Sequence, residues 1–264
     1  MATTWTGPTA VPAASHPTVR RIGVADLKDA LAKGAGDFLA APTQLFFLCI
    51  IYPIIGLIAA RAAWGGPLLP LFYPLASGFA LIGPLAALGL YEISRRREMG
   101  LPASWRDAFE VLRSPSLGSI VLLGLLLIGI FVVWIAAAQA IFSWTMGSAP
   151  PVSIGEFFDR LFNTPEGWRL IIIGNAVGFL FALLVLVLTV VSFPMLLDRH
   201  VDPGVAVGTS IRAVLRNPVP MALWGLIVAF GLLIGSIPFF IGLAVVLPIL
   251  GHATWHLYRK VVAH

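Results

Sequence analysis

Cysteine and charge are both scarce in this sequence. Cys49 is the only thiol in 264 residues, so neither a disulfide framework nor a cysteine-built metal site can form within one chain. Charged residues make up 11% of the total, against roughly 25% in a soluble domain, which leaves too little polar surface to keep the chain in water. No Gly-rich phosphate loop, nucleophile elbow or His-Glu-x-x-His motif occurs, and the expectation is a protein that is not an enzyme. No Asp, Glu, Lys, Arg or His falls near the middle of an apolar run, where an ionisable group would flag a proton relay or ion path.

Apolar sequence fills the space instead. Hydrophobic residues are 59% of the chain and the mean hydropathy is +0.95. A helix needs about 20 apolar residues to cross the hydrocarbon core, and six runs approach that length: 44–64, 68–90, 117–142, 168–197, 219–236 and 237–258. Pro53 cuts the first, and only the turn at Ser236-Ile237-Pro238 separates the last two, where a five-span or re-entrant arrangement stays open. The expected fold is all-α, a polytopic helical bundle of about six spans over 23–264, behind a disordered cytoplasmic tail at 1–22.

The net charge of +5 does not indicate nucleic acid, because the basic residues flank the apolar runs in the manner suited to anionic headgroups. Fourteen of the seventeen Lys and Arg residues fall in the tail, the second and fourth loops and the C-terminus, leaving Arg61, Arg160 and Arg169 opposite. Basic residues are retained inside, so both termini are expected in the cytoplasm.

Three spans are each preceded by an amphipathic stretch that ends at a proline: Phe38 to Pro42, Val111 to Pro115 and Val214 to Pro218. Proline disfavours helix in the residue before it, so each stretch is expected to stop and lie in the headgroup plane before a helical hairpin. In the first copy Val24, Leu27 and Leu31 share one face, with Asp26, Lys28, Asp29 and Lys33 away from it. Ser104 and Asp107 have the spacing of a capping box. On the opposite side Ile154, Phe157, Phe158, Leu161 and Phe162 form an amphipathic helix, suited to the lipid interface or to a docked subunit.

The sharpest polar pair is His252 and His256, which share a helix face at i and i+4 and could present two imidazoles to a metal or haem, with a third ligand from His200, Asp198 or Glu92. The other reading is a boundary anchor with an apolar body and a polar edge, and no cofactor is assigned. Glu92 with Arg95, and Asp198 with Arg199, read as a hydrated ion-pair ring that fixes helix depth. Asn175 lies among Gly174, Ala176 and Gly178, where another helix can approach and meet the amide.

The strings Gly89-Leu90-Tyr91-Glu92-Ile93-Ser94-Arg95-Arg96, Ser192-Phe193-Pro194-Met195-Leu196-Leu197-Asp198-Arg199 and Gly251-His252-Ala253-Thr254-Trp255-His256-Leu257-Tyr258-Arg259 resemble a bacterial family of integral membrane proteins of unknown function. Some members of that family carry a label as cytochrome c oxidase subunit. The resemblance implies an inner-membrane location and supplies no catalytic residues. A haem-copper catalytic subunit needs several histidines within the membrane, whereas His16, His200, His252, His256 and His264 lie in tails, a loop or a boundary. Three functional readings follow: an accessory, assembly or scaffold protein of another membrane complex; a transporter or channel for a small or lipid-like solute; and a metal- or haem-binding protein using His252 and His256.

Overall fold

The computed structural model describes residues 17–41, 54, 69–148, 153–238 and 240–263. Apart from residue 54, the first expected span, 44–64, lies outside the described residues, as do most of the tail, Cys49 and Arg61. The chain is helical: α1 (Val24–Ala40), α2 (Phe72–Ala86), α3 (Leu88–Glu98), a 3-10 helix (Trp105–Arg113), α4 (Leu117–Met146), α5 (Ile154–Asn163), α6 (Pro165–Thr189), α7 (Ser192–Asp198), α8 (Pro203–Arg216), α9 (Pro218–Ser236) and α10 (Leu243–Val261).

Among the described residues four segments are long and apolar enough to cross a membrane: α2 with α3 (27 residues), α4 (30), α6 with α7 (34) and α9 (19). At 1.5 Å per residue the first three reach about 40, 45 and 51 Å, well beyond a core of roughly 30 Å. Their ends therefore project out of the hydrocarbon, and burial marks where. Along α4 and α6 large apolar side chains such as Leu122, Val133, Ile172 and Leu180 are exposed, as lipid-facing positions are. Leu90, Tyr91 and Ile93 of α3, Val191 to Leu197 at and within α7, and Trp255, Leu257 and Tyr258 of α10 are instead buried. These ends, with α1, the 3-10 helix and α8, form a packed layer against one face of the membrane bundle.

Charge shows that this layer lies outside the lipid. It contains Asp37, Glu92, Arg95, Arg97, Glu98, Asp198, Arg199, Arg259 and Lys260, all in ion pairs. The second half of α10 belongs to it, which is why that helix falls short of a span composition and why the run expected at 237–258 is only partly lipid sequence. The turn before it also moves the start of the helix to Leu243. Helices α2 and α3 carry the second expected span on to Glu98, eight residues past its expected end.

The amphipathic helices end where the prolines require. The 3-10 helix stops at Arg113 and α8 at Arg216, two residues before Pro115 and Pro218, and α1 stops at Ala40. Asp107 accepts from the backbone N–H of Ser104 at 2.7 Å and from its hydroxyl at 2.8 Å, closing the start of the 3-10 helix. Ser153 and Thr164 accept from the N–H groups of Glu156 and Gly167, capping α5 and α6.

Two expectations change. The tail expected to be disordered through residue 22 is ordered from Pro17: Val19 pairs with Val262, Arg20 N–H donates to Val261 O at 2.7 Å, and Ala263 N–H donates to Thr18 O at 2.9 Å. Val19 and Val262 are both buried by this pairing, which offsets the cost of ordering the strap. The inward face of α1 is Leu27, Ala30, Gly34 and Asp37, whereas Val24 is exposed. The helical stripe is rotated from Val24 toward Gly34 because α1 lies hard against α10: a Cβ on Gly34 would sit 2.6 Å from the backbone N of Ala253.

Candidate functional site

Helix α10 enters the charged layer at Gly251, and from there its His, Trp, Tyr, Arg and Lys side chains reach α1, α3 or α7. His252 Nδ1 lies 2.8 Å from Ser94 Oγ on α3, and Ser94 donates to Asp37 Oδ2 on α1 at 2.6 Å. His256 Nε2 meets the same Asp37 oxygen at 2.8 Å, while Arg97 Nε donates to Asp37 Oδ1 at 2.8 Å. Ser94 and His252 are fully buried and Asp37 nearly so.

The donor inventory fixes the proton arrangement. Ionised Asp37 only accepts, so the single hydroxyl proton of Ser94 goes to it, and His252 must then donate from Nδ1 to the Ser94 oxygen. Nε2 of His252 is the one buried side-chain N or O atom without a hydrogen-bond partner of good geometry among the described residues, and the Leu90 carbonyl beside the ring favours its protonated form. Burial pushes the His252 imidazole down to about 4, against the opposing attraction of Asp37. Burial raises the Asp37 carboxyl, but donation from His256, Ser94 and Arg97 outweighs it and holds the group down to about 2.

One turn on, Trp255 Nε1 donates to Glu98 Oε2 at 3.0 Å and Arg259 Nε to Glu98 Oε1 at 2.8 Å. Tyr258 donates to Asp198 Oδ2 on α7 at 2.6 Å, and burial together with that carboxylate pushes the phenol up, keeping it a donor. Lys260 bridges Asp26 at 3.3 Å and Asp29 at 2.9 Å on α1. Arg199 donates to Ala263 O at 2.6 Å, which ties α7 to the C-terminal strap.

His252 and His256, expected to share a face, do so, and Asp37 and Ser94 lie between their rings. The residues named as third ligands are elsewhere: His200 Nδ1 is 3.3 Å from Ser116 Oγ, Asp198 is paired with Tyr258 and Arg259, and Glu92 makes two 2.8 Å bonds to Arg95. Among the described residues no group of three or more His, Cys, Asp or Glu could hold a metal ion. Glu92 is buried at 2% exposure, so its pair with Arg95 is part of the packed layer and not a hydrated ring. Asn175 accepts from Tyr73 Oη of α2 at 2.9 Å and donates to Ile171 O, so the helix that meets the amide is α2.

Asp37, Ser94, Arg97, Glu98 and Asn217 escaped the sequence reading. Asp37 was findable, since continuing the stripe from Leu27 through Ala30 and Gly34 places a carboxylate alone on a core face. Asn217, buried beside Pro218, holds the strap by accepting from Ile22 N–H at 2.9 Å and donating to Arg20 O at 3.0 Å. Nothing local marks it, because these two partners lie 195 and 197 positions away.

Residues 72–198 match the model of a family described as "Predicted integral membrane protein (DUF2189)", which agrees with the membrane family of unknown function that the sequence strings resemble. The matched stretch includes the first of the three strings that build the charged layer, on α3, and all but Arg199 of the second, on α7, and stops before the third, on α10. No curated protein and no solved structure matches the chain.

Proposed function

We propose that this integral membrane protein is a non-enzymatic scaffold or accessory subunit of another membrane complex, set in the bacterial inner membrane with its charged layer in the cytoplasm. The observation that carries this reading is where polar and apolar side chains point. The polar groups at the centre of the layer are turned inward and used to lock helices together, while aromatic side chains are presented outward at both membrane faces. Trp105, Phe109 and Leu112 of the 3-10 helix are exposed on the layer side, and Ile154, Phe158 and Phe162 of α5 are exposed on the other.

Packed spans hold the chain in the bilayer without help from these two short helices. Exposed aromatics at a membrane face suit the headgroup region or a docked subunit, and the scaffold reading takes the second. The orientation rests on the Lys and Arg distribution: the layer side carries fourteen of the seventeen.

Purification from native membranes in mild detergent, after brief crosslinking, tests the reading. The expected result is a stoichiometric membrane-protein partner that Phe158→Asp or Trp105→Asp removes while the chain stays in the membrane fraction. Repeated recovery of the chain alone, or solute flux through reconstituted vesicles, would overturn it.

A further inference from the structure

Helices α9 and α10 form a hairpin whose tip has no polar side chain. Ile237-Pro238-Phe239-Phe240-Ile241-Gly242 joins them, and Ile237 (74%) and Ile241 (57%) are exposed, as are Leu233 and Ile234 before the turn and Val245 after it. A turn that emerged into water would be expected to carry polar residues. The connection after α4 does so, with Gly147-Ser148 and Ser153.

Height along the bundle locates this tip. His252 and Ser94 are hydrogen bonded, and Gly251 packs on Leu90, so α10 and α3 run side by side in the same direction. Leu243 is nine residues up-helix from His252, and Leu85 is nine residues up-helix from Ser94, about 14 Å in each case. Gly124 of α4 packs against Leu85, and α4 continues for another 22 residues to Met146, about 33 Å farther from the charged layer. The core is roughly 30 Å thick, so a tip that stops this far short of the end of α4 does not reach the opposite face.

The backbone is suited to that position. An irregular turn in lipid is costly because each free N–H or C=O lacks a partner. Here Ile237 N–H donates to Ile234 O, Phe240 to Ser236, Ile241 to Pro238, Leu243 to Phe240, and Ala244 to Ile241, all at 3.3 Å or less, and Pro238 has no N–H to satisfy. Gly235 and Gly242 let the two helices touch, since a Cβ at Gly242 would be 2.9 Å from Gly235 Cα. Phe240 sits at φ 64°, a conformation that strains a bulky side chain.

We propose that the α9–α10 hairpin is re-entrant: it dips into the bilayer from the charged side, turns within the hydrocarbon core and returns, with Ile237, Ile241 and Val245 forming a surface for lipid acyl chains. This rests on α9, α10 and their neighbours alone, and stands whether or not the chain is a scaffold. Pairing of the two chain ends through Val19 and Val262 is compatible with it, because a re-entrant hairpin returns to the face it left.

Spin labels at Ile237→Cys and Ile241→Cys in a Cys49→Ser background, in phosphatidylethanolamine/phosphatidylglycerol vesicles, test the proposal. Both positions are outward-facing, so little packing is lost, and Ser148→Cys and Ala263→Cys mark the two faces. The expected result is high collision with oxygen, low collision with a water-soluble nickel chelate, and strongest broadening by lipids labelled near the chain ends. Chelate access equal to that of Ser148→Cys would mean that the hairpin crosses fully, and access equal to that of Ala263→Cys would place the tip in water on the charged side. Shielding from both quenchers would mean that protein covers the tip. Any of these three results overturns the proposal.

Discussion

Ser94 and His252 lie 158 positions apart in the chain and share a 2.8 Å hydrogen bond in full burial. Ser94 is the middle of a relay from the imidazole to Asp37, and its oxygen is both acceptor and donor. Its removal therefore strands the imidazole and takes one bond from Asp37.

Ser94→Ala is expected to cost about 2–4 kcal/mol, since a buried donor left without a partner costs about 1–3 kcal/mol and Asp37 also loses one of its bonds. Combining it with His252→Leu should cost less than the two single changes together, because the stranded imidazole is then gone. Thermal unfolding midpoints of the four proteins in one detergent would check this; strict additivity would mean that the bond contributes nothing.

Acid should weaken the layer in two stages. His252 falls from an ordinary 6.5 to about 4 in the fold, so the native state resists its protonation. Stability is complete above about pH 6.5 and is lost as pH drops toward 4, by roughly 3 kcal/mol at most at 1.36 kcal/mol per unit. Asp37, held down from 3.8 to about 2, contributes above pH 4 and loses that contribution on going toward pH 2. His252→Gln should abolish the first stage and leave the second, as read from unfolding midpoints between pH 7.5 and 3.

Two glycines of α1 should respond with opposite sign. Gly34→Ala forces a methyl against the Ala253 backbone and is expected to destabilise by about 1–3 kcal/mol, as overpacking does. Gly36 has open space around it, so Gly36→Ala should stabilise by up to about 1 kcal/mol through helix propensity. Equal effects on the melting temperature would show that α1 does not sit against α10 as described.

Asn217→Ala removes the amide that holds the strap to the start of α9. Trypsin should then cleave after Arg20 and Arg21 faster than in the unaltered protein, while sites such as Arg113 keep their rates. No change in cleavage would mean that pairing with Val261 to Ala263 is enough to hold the strap.

Much of the membrane architecture was legible because it depends on composition. A run such as 117–142 has no other stable environment, and prolines 42, 115 and 218 stop the helices before them for a purely local reason. Asn175 also announced itself by standing among small residues. The centre of the charged layer was much less legible. His252 and His256 were visible at i and i+4, yet their partners Asp37 and Ser94 come from helices distant in sequence, and Asp37 is one polar residue at the end of a mixed face.

Sequence by itself determined that this chain dissolves in lipid, that it is helical, and where the charged ends of its helices begin, since hydropathy and charge act residue by residue. Tertiary structure alone decided that those ends converge into a buried layer, that Asp37 takes both histidines and an arginine, and how far the last hairpin reaches. Each of these depends on which helices lie side by side and at what height, and a sequence window that reads one helix at a time holds no such distance.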